Sequence, residues 1–429
     1  MTDRTVNIRA VALELLLDIT GGRTYSHLAL GGALERYQHL DKQERAFLTR
    51  LTEGTVERML ELDYIIGLYS RVPVKKLKPV IRNILRISVY QIRYMDRIPD
   101  AAVCNEAVKL AQKKGFGSLK GFVNGVLRNI IRGQKSVEYP DLSVQYSTPE
   151  WIVSQWTEEY GAERAERMLA AQYEEKPLAV RVNLQKTTRE QLKKRLESEG
   201  VCVQEIEYMD CALAISGYDY LRAVPSFREG LFQVQDVSSM KAALMAAPEQ
   251  GDYCIDVCAA PGGKSLHLAE LMQGTGMVEA RDLTEYKVGL IMENIERAGV
   301  CNVKAVQKDA TIFDPDSVEK ADVVLADLPC SGLGVLGKKR DLKYRMSIEQ
   351  QEELVKLQRV ILSTIWSYVK PGGTLVYSTC TVHREENEGN TEWFLAQYPF
   401  LLKEQVHMLP GTDPWDGFYI AKMEREQND

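Results

Sequence analysis

The sequence predicts a multidomain protein of the α and α/β classes, in which an all-α domain and a small α+β segment precede a doubly wound, mostly parallel sheet. Its 429 residues are too many for one ordinary domain. Up to about residue 137 the apolar residues recur at helical spacing, whereas from about residue 233 strand-like and helical runs alternate. We therefore expect domains at 1–137, 138–232 and 233–429.

The N-terminal domain is expected to consist of helices. Its first apolar stretch, Val6 to Ile19, stops at Gly21-Gly22, which is a helix-end signal. Further helical stretches follow at 42–70, 78–94, 100–114 and 118–133. The opening residues MTDRTVNIRA lack the apolar core of a signal peptide, and the chain contains no run of about 18 apolar residues. We therefore expect a cytoplasmic protein that does not span a membrane.

This domain also carries an uneven share of the charge. The segment from Arg71 to Lys135 has 15 Lys and Arg residues against 3 acids, although the whole chain has a net charge of −6. A basic module on an acidic chain is typical of proteins that bind nucleic acid. A solvated basic helical face is the structural alternative.

The middle segment mixes both kinds of element. Helical patterns cover Thr148–Tyr160, Ala162–Gln172 and Arg189–Glu199, and strand patterns cover Leu178–Asn183, Val201–Glu207 and Leu213–Ile215. We predict a small α+β segment here.

The C-terminal region alternates strands and helices. Strand patterns cover Tyr253–Val257, Met277–Arg281, Val303–Gln307, Val323–Ala326 and Thr374–Tyr377. Helical patterns begin at Lys264 and cover Glu285–Ala298 and Ile348–Val369. Ser347 and Gln350 form a capping box for the last of these helices. The alternation predicts a parallel sheet.

Each of these five strands is followed by polar or reactive residues. They are Asp256, Asp282, Asp309, the run Asp327-Leu-Pro-Cys330, and the run Ser378-Thr379-Cys380. Ligands of open parallel sheets bind beyond the carboxyl ends of the strands, so we expect these side chains to share one cleft.

The loop after the first strand, PGGKS at 261–265, predicts a cofactor site. It is not a P-loop, because Cys258 stands where that motif needs glycine, and the GxGxxG fingerprint is absent as well. A glycine turn that opens a helix, with an acid about 20 residues later at Asp282, suits an adenosine-containing cofactor. The missing fingerprint disfavours NAD, and the acids around the cleft favour the cationic S-adenosylmethionine.

The thiols at two strand ends admit several roles. None of the eight cysteines forms a CxxC pair, so we expect no metal site. A base deaminase would need a second cysteine after Cys330, and His383-Arg-Glu385 matches only part of that motif. Three roles remain open for these thiols. They could form a Cys–His dyad with His267 or His383, attack C6 of cytosine with help from Asp327, or simply pack in the core.

Three motifs carry a resemblance to a known family. DVCAAPGGKS, DLPCSGLG and YSTCT, in this order, resemble the RNA cytosine-5 methyltransferases of the NOL/NOP/Sun family. IRNILRISVYQIRYMDRIPDAAVCNEAVKLA and GFVNGVLRNII resemble the NusB-like domain that is fused to a bacterial branch of this family. RVNLQK, GLFQVQDVSS and DGFYIAKMER resemble its middle segment, the entry to its catalytic domain and its last strand.

The resemblance implies a NusB-like RNA-binding domain, a small α+β RNA-binding or linker domain and a Rossmann-like methyltransferase domain. It implies methylation of C5 of a cytosine in 16S ribosomal RNA, with S-adenosylmethionine as the cofactor. We expect a monomer that acts on naked or early-assembly RNA. Carried over by motif, the cofactor-binding residues are Cys258, Ala259, Ala260, Pro261, Gly262, Gly263, Lys264, Asp282, Asp309 and Asp327. The catalytic residues are Cys380 as the nucleophile, Cys330 for product release and Asp327 for activation of the base.

The chain departs from the family pattern in places. Ala321 stands where an aromatic residue is common, Leu328 stands where a small residue is usual, and Arg281 precedes the ribose acid Asp282. Two rival functions are a DNA-type enzyme with Cys330 as the nucleophile and a non-catalytic RNA-binding or antitermination-type factor. Methylation of C5 in another RNA is a further alternative. The DNA-type interpretation leaves Cys380 without a role and lacks the ENV-type motif.

Overall fold

The computed structural model describes residues 6–133 and 137–427, which group into two compact units. The first unit runs up to Gln172 and includes Leu336–Arg345, and the second comprises Tyr173–Val335 together with the chain from Met346 onward. The three predicted domains remain a prediction, because compact units need not coincide with domains.

Helices build the first unit, and those up to residue 133 share one apolar core. They are α1 (Ile8–Thr20), α2 (Ser26–Arg36), α3 (Lys42–Glu57), α4 (Met59–Tyr69), α5 (Pro79–Tyr94), α6 (Asp100–Lys113), α7 (Lys120–Gly133), α8 (Leu142–Gln145), α9 (Glu150–Tyr160) and α10 (Ala162–Ala171). Helix α5 is buried along most of its length and packs against α1, α3, α4, α6 and α7. The all-α prediction is confirmed, although the sequence pattern missed α2 and merged α3 with α4.

The segment Leu336–Arg345 belongs to the first unit despite its place late in the chain. The carboxylate of Asp341 accepts hydrogen bonds from the backbone N–H and the hydroxyl of Ser26, at 3.1 and 2.6 Å. The hydroxyl of Tyr344 donates to the carbonyl of Ser147 at 2.8 Å. Asp341 and Lys343 are buried, so this segment needs its helical neighbours to satisfy its polar groups.

The second unit contains an antiparallel sheet and a larger, mostly parallel one. The antiparallel sheet has the order β2-β3-β1-β4. Its elements are β1 (Leu178–Val182), α11 (Arg189–Ser198), β2 (Cys202–Glu205), β3 (Ala212–Ser216), α12 (Pro225–Arg228) and β4 (Phe232–Val234). The strands predicted for the middle segment are present, and β4 was not predicted.

The larger sheet has the order β10-β11-β9-β8-β5-β6-β7. Its strands are β5 (Tyr253–Asp256), β6 (Met277–Asp282), β7 (Val303–Gln307), β8 (Ala321–Asp327), β9 (Val369–Thr379), β10 (Phe400–Met408) and β11 (Phe418–Arg425). Its helices are α13 (Val237–Ala246), α14 (Gly263–Leu271), α15 (Glu285–Ala298), α16 (Ile348–Ile365) and α17 (Glu388–Gln397). Strands β5 to β9 are parallel, whereas β10 and β11 run antiparallel to their neighbours.

Helices cover both faces of this sheet, as the doubly wound prediction requires. Apolar residues of α13 and α14 pack on one face, and residues of α16 and α17 pack on the other. Strand order reverses between β5 and β8, and this switch point is where open α/β sheets bind ligands. The structure therefore places the ends of β5 and β8, Asp256 and Asp327, at the expected cleft. Helices α13 and α17 and strand β10 were not predicted.

Within the described residues, no helix has the length and apolar character that crossing a bilayer requires.

Candidate active site

The loop between β5 and α14 forms a tight glycine turn. Gly262 has φ +105°, a conformation that side chains rarely adopt. Helix α14 begins at Gly263, so its first backbone N–H groups face the end of β5. The loop is held by a hydrogen bond from the Ala259 N–H to the carbonyl of Arg281 at 2.8 Å. The predicted cofactor loop, Cys258 to Lys264, therefore has the geometry of a helix N-terminus open to a ligand.

Asp282 lies beside this loop. One carboxylate oxygen accepts from the Ala260 N–H at 3.0 Å, and the other accepts from the Leu283 N–H at 2.8 Å. Lys287 forms an ion pair with the carboxylate at 3.0 Å. A carboxylate has about four acceptor sites, so Asp282 can accept further hydrogen bonds from ribose hydroxyls.

The neighbour of Asp282 in the chain, Arg281, is engaged on the other side of β6. It donates to Glu279 at 2.7 Å and to the Ser317 hydroxyl at 2.6 Å, and it forms an ion pair with Asp314 at 3.4 Å. This departure from the family pattern thus leaves the carboxylate of Asp282 unaffected. Arg281 instead fixes the segment that follows β7.

Asp309 follows β7 and contributes to a cavity of about 210 Å³. The cavity wall is mostly apolar and includes Val257, Ile312, Phe313 and Tyr368. Hydrogen bonds from the hydroxyl and the backbone N–H of Thr311 lower the pKa of Asp309. Asp314, Arg281 and Lys308 also line this cavity and pair with one another, whereas Asp309 is bound only by Thr311 among the contacts above. An apolar wall with an acid such as Asp309 at its edge has the chemistry to receive a flat heterocycle with an exocyclic amine.

Asp256 is buried at the end of β5. Burial raises its pKa to about 7, against a partial lowering by the hydrogen bond from Ser265. Its second carboxylate oxygen has no hydrogen-bond partner in the described structure. The site thus holds one buried carboxylate oxygen whose capacity to accept a hydrogen bond is unused in the described structure.

Asp327, at the end of β8, is bound from two sides. The ammonium group of Lys264 lies 2.7 Å from one carboxylate oxygen, and the Ser378 hydroxyl donates to the other at 2.8 Å. Burial lowers the pKa of Lys264, but the charges of Asp327, Asp256 and Cys380 outweigh it, so its pKa is raised. The sequence placed Lys264 only in the cofactor loop, and its pairing with Asp327 was not anticipated.

The structure brings the two strand-end cysteines together. The sulfur atoms of Cys330 and Cys380 are 3.3 Å apart, although 50 positions separate them in the chain. Parallel pairing of β8 with β9 sets Asp327 beside Ser378, which carries the two following loops to the same point.

The two thiols have different electrostatic surroundings. The hydrogen bond with Cys380, burial, and the negative charges of Cys380, Glu386 and Asp327 raise the pKa of Cys330. Lys264 interacts favourably with a thiolate at Cys380. Cys330 is therefore the sulfur that keeps its proton, and Cys380 is the one whose thiolate has a cation nearby.

The histidines considered from the sequence are buried. Burial lowers the pKa of His267, which lies on α14. The Nδ1 atom of His383 is 3.3 Å from the buried carboxylate of Glu386. Cys258, in the cofactor loop, has its pKa raised by burial, so this thiol is poorly suited to act as a nucleophile. No group of three His, Cys, Asp or Glu residues in the described parts of the chain could hold a metal ion.

Arg181 is a further residue whose role the sequence did not reveal. It is fully buried, donates to the side chain of Gln235 at 2.8 Å and to the carbonyl of Gly263 at 3.4 Å, and pairs with Glu270. It thereby fixes the start of α14. Its only sequence signal was the family resemblance of RVNLQK.

Comparisons with known proteins cover nearly the whole chain. Residues 243–424 match the family model described as 16S rRNA methyltransferase RsmB/F, residues 6–132 match the NusB family, and residues 148–218 match the ferredoxin-like domain of RsmF/B-like methyltransferases. The chain is 34% identical to the probable ribosomal RNA small subunit methyltransferase B of Bacillus subtilis over 99% of this chain and 100% of the relative. It is 29% identical to ribosomal RNA small subunit methyltransferase B of Klebsiella pneumoniae, over 99% of this chain and 100% of the relative.

Solved structures give a consistent result. The crystal structure of PH0851 superposes with a TM-score of 0.84 at 26% identity, covering 98% of this chain and 99% of the other. The structure of NSun6 from Pyrococcus horikoshii with SFG superposes with a TM-score of 0.60 at 25% identity, covering 65% of this chain and 99% of the other.

Proposed function

Because the chain belongs to the 16S rRNA methyltransferase RsmB/F family and is an S-adenosylmethionine-dependent enzyme, we propose that it methylates C5 of a cytosine in 16S rRNA through a covalent bond to Cys380. The observation that carries this proposal is the pair of sulfur atoms 3.3 Å apart at strand ends beside the Asp327–Lys264 ion pair. The proposal gives both thiols and the acid distinct tasks.

The residues around the glycine turn fit the cofactor. Asp282 would accept from the ribose hydroxyls, and Asp309 would accept from the adenine amine at the edge of the apolar cavity. The partnerless oxygen of Asp256 would accept from the amino group. When bound, S-adenosylmethionine supplies the methyl group that the cytosine takes up.

Nucleophilic attack makes C5 reactive. The thiolate of Cys380 forms a bond to C6, and the electrons of the C5–C6 double bond move towards C5 and N3. Asp327, which pairs with Lys264, accepts a hydrogen bond from the exocyclic amine of the base. Lys264 is then the donor that offsets the charge developing on the ring.

Product release reverses the attack. After methylation, a general base takes the C5 proton, the C5–C6 double bond forms again, and the C6–S bond breaks so that Cys380 leaves as a thiolate. Cys330 keeps its proton because of burial and its negative neighbours, and it lies within hydrogen-bond distance of the leaving sulfur. It can therefore donate an S–H hydrogen bond to the departing Cys380 thiolate and stabilise it as the C6–S bond breaks.

Two substitutions test these roles. Cys380→Ala should abolish methyl transfer and form no covalent complex. Cys330→Ala should accumulate a protein–RNA complex that survives denaturation. Cys301→Ala, an exposed cysteine, is the matched control and should behave as wild type. The reverse outcome, with the complex trapped in Cys380→Ala, would make Cys330 the nucleophile and overturn the proposal.

The basic helical unit is proposed to hold flanking RNA through its exposed cations. Of the basic residues between Arg71 and Arg132, exposed ones include Lys75, Lys76, Lys78, Arg97, Lys109, Lys113, Lys120, Arg128 and Arg132, while Lys135 lies outside the described residues. Target cytosines must leave their stack to reach the cleft, so single-stranded or looped RNA is the expected substrate. A monomer that acts without metal on naked or early-assembly RNA remains a prediction.

Charge reversal is a better test of the proposed RNA contact than deletion of residues 1–137, because the deletion would expose the buried Asp341 and Lys343. Lys113→Glu with Lys120→Glu should weaken RNA binding and lower the slope of log K against log salt by about one unit for each phosphate that the variant no longer neutralises. Lys304→Glu with Lys320→Glu changes the charge equally at exposed positions and is the control. An equal weakening in both double variants would contradict a specific RNA surface.

A further inference from the structure

A buried polar cluster binds the residues on either side of both catalytic cysteines. Its members are Gln358 on α16, Glu386, and Asn387 just before α17, and all three are fully buried. The cluster was not apparent from the sequence, where Glu386 is one of several acids in a charged run.

Hydrogen bonds hold the residues on both sides of Cys330. The N–H and hydroxyl of Ser331 donate to the two carboxylate oxygens of Glu386, at 2.9 and 2.5 Å. The amide of Gln358 donates to the carbonyl of Pro329 at 2.8 Å and to Glu386 at 3.0 Å. Glu386 thus holds the residue after Cys330 directly and the residue before it through Gln358.

The loop of Cys380 is held in the same way. The Thr379 hydroxyl donates to the side-chain carbonyl of Asn387 at 2.5 Å, and the amide of Asn387 donates to the carbonyl of Thr381 at 3.1 Å. The hydroxyls of Ser331 and Thr381 are 2.7 Å apart and link the two loops directly. The register of β8 on β9 brings the two loops together, and this cluster then holds the residues beside each sulfur in place.

The charge on Glu386 matters for this task. A buried carboxylate is costly unless hydrogen bonds surround it, and here its partners are the Ser331 and Gln358 donors and His383. A side-chain amide of the same shape could not accept all of these bonds, because its NH₂ group only donates. With glutamine at position 386, one of the two groups of Ser331 that now donate to Glu386 would lie against the NH₂ group, which cannot accept its hydrogen bond.

We propose that Glu386 is a positioning residue that holds the thiol of Cys330 against Cys380 so that the product is released. This inference rests on the two-thiol mechanism proposed above. A displacement of about 1 Å can cost about 100-fold in rate. Loss of the hydrogen bonds from the Cys330 loop to Glu386 should therefore slow product release about 100-fold.

The test compares Glu386→Gln with Glu385→Gln, which makes the same change at an exposed neighbour in the chain. We expect Glu386→Gln to lower kcat about 100-fold and to raise the fraction trapped as covalent protein–RNA complex towards that of Cys330→Ala. Affinity for S-adenosylhomocysteine should stay within about twofold, because the cluster lies behind the thiols and not at the cofactor loop. Glu385→Gln should match wild type.

Two further variants keep the test decisive if Glu386→Gln folds poorly. Ser331→Ala removes one donor and should trap the complex to a smaller degree. The double variant Cys330→Ala/Glu386→Gln should trap no more complex than Cys330→Ala alone, because Glu386 acts through Cys330. Additive effects, or a fall in kcat without trapped complex in both Glu386→Gln and Ser331→Ala, would overturn the inference.

Failure of the inference differs from failure of the mechanism. If Cys380→Ala still methylates RNA, the proposed mechanism itself is wrong. If Cys380→Ala and Cys330→Ala behave as proposed while Glu386→Gln behaves as Glu385→Gln, the positioning role alone is wrong.

Discussion

Replacement of Lys264 by methionine removes the cation that pairs with Asp327 and favours the thiolate of Cys380. At 2.7 Å, a unit ion pair contributes about 6 kcal/mol with an effective dielectric constant near 20 and about 1.5 kcal/mol in water. The side chains of Lys264 and Asp327 are 14% and 27% exposed, so water screens part of this interaction. We take the same range for the interaction of Lys264 with the charge that develops in the transition state, and therefore expect a loss of about 3 kcal/mol in transition-state stabilisation, or about 100-fold in kcat.

The assay is methyl transfer to RNA at saturating cofactor across a range of pH, with a binding measurement for S-adenosylmethionine. Lys264→Met should lower kcat and move the acid limb of the pH–rate profile to higher pH, because the thiolate has lost its cation. The affinity for S-adenosylmethionine should be unchanged or higher, because the cofactor is itself cationic. Lys304→Met, at an exposed position on β7, is the control.

The opposite pattern would refute the reasoning. If Lys264→Met weakens cofactor binding about 100-fold and leaves kcat unchanged at saturation, Lys264 serves the cofactor and not the thiol. That outcome would restore the role that its motif position suggested.

Three further predictions concern stability and are read by thermal unfolding. Burial raises the pKa of Asp256 to about 7, so its carboxylate destabilises the fold progressively as the pH rises from about 4 to about 7. Asp256→Asn should therefore gain up to about 4 kcal/mol relative to wild type at pH 8 and little at pH 4; equal gains at both would contradict this. Burial lowers the pKa of Lys343 to about 7, so wild-type stability falls as the pH drops from about 10 to about 7. Lys343→Met should gain more at pH 6.5 than at pH 10, and a pH-independent effect would count against the assignment. Arg181→Lys keeps the charge but loses the planar guanidinium that binds Gln235 and Glu270 together, so it should lower the free energy of unfolding by about 2 kcal/mol. An unchanged melting temperature would show that the guanidinium geometry is dispensable.

The sequence predicted most of the elements because their signals are local. Alternating strand and helix patterns placed β5 to β8 within about two residues, but β9 begins at Val369 and not at the predicted Thr374. The capping box at Ser347 marked the start of α16. Helices α2, α13 and α17 were missed. The 18-residue helix α16 was predicted four residues too long, because Trp366–Tyr368 forms a 3₁₀ turn before β9 begins at Val369.

The motifs predicted which side chains matter, but they did not predict how those side chains pair. Lys264 and Asp327 are 63 positions apart, and their ion pair depends on the parallel pairing of β5 with β8. The inclusion of Leu336–Arg345 in the helical unit depends on Ser26 and Ser147, which lie far away in the chain. Such contacts leave no periodic pattern in the sequence.

By itself, the sequence determined that a thiol follows each of two parallel strands, because strand patterns and the turn residues after them are local. Only the tertiary structure decided that the sulfurs of Cys330 and Cys380 lie 3.3 Å apart, with Lys264 near one and Glu386 near the other. Their separation results from the register of β8 on β9 and from the burial of a carboxylate among donors of distant segments. These are properties of the packed chain, and they give different electrostatic surroundings to two thiols that the sequence alone presents as equivalent.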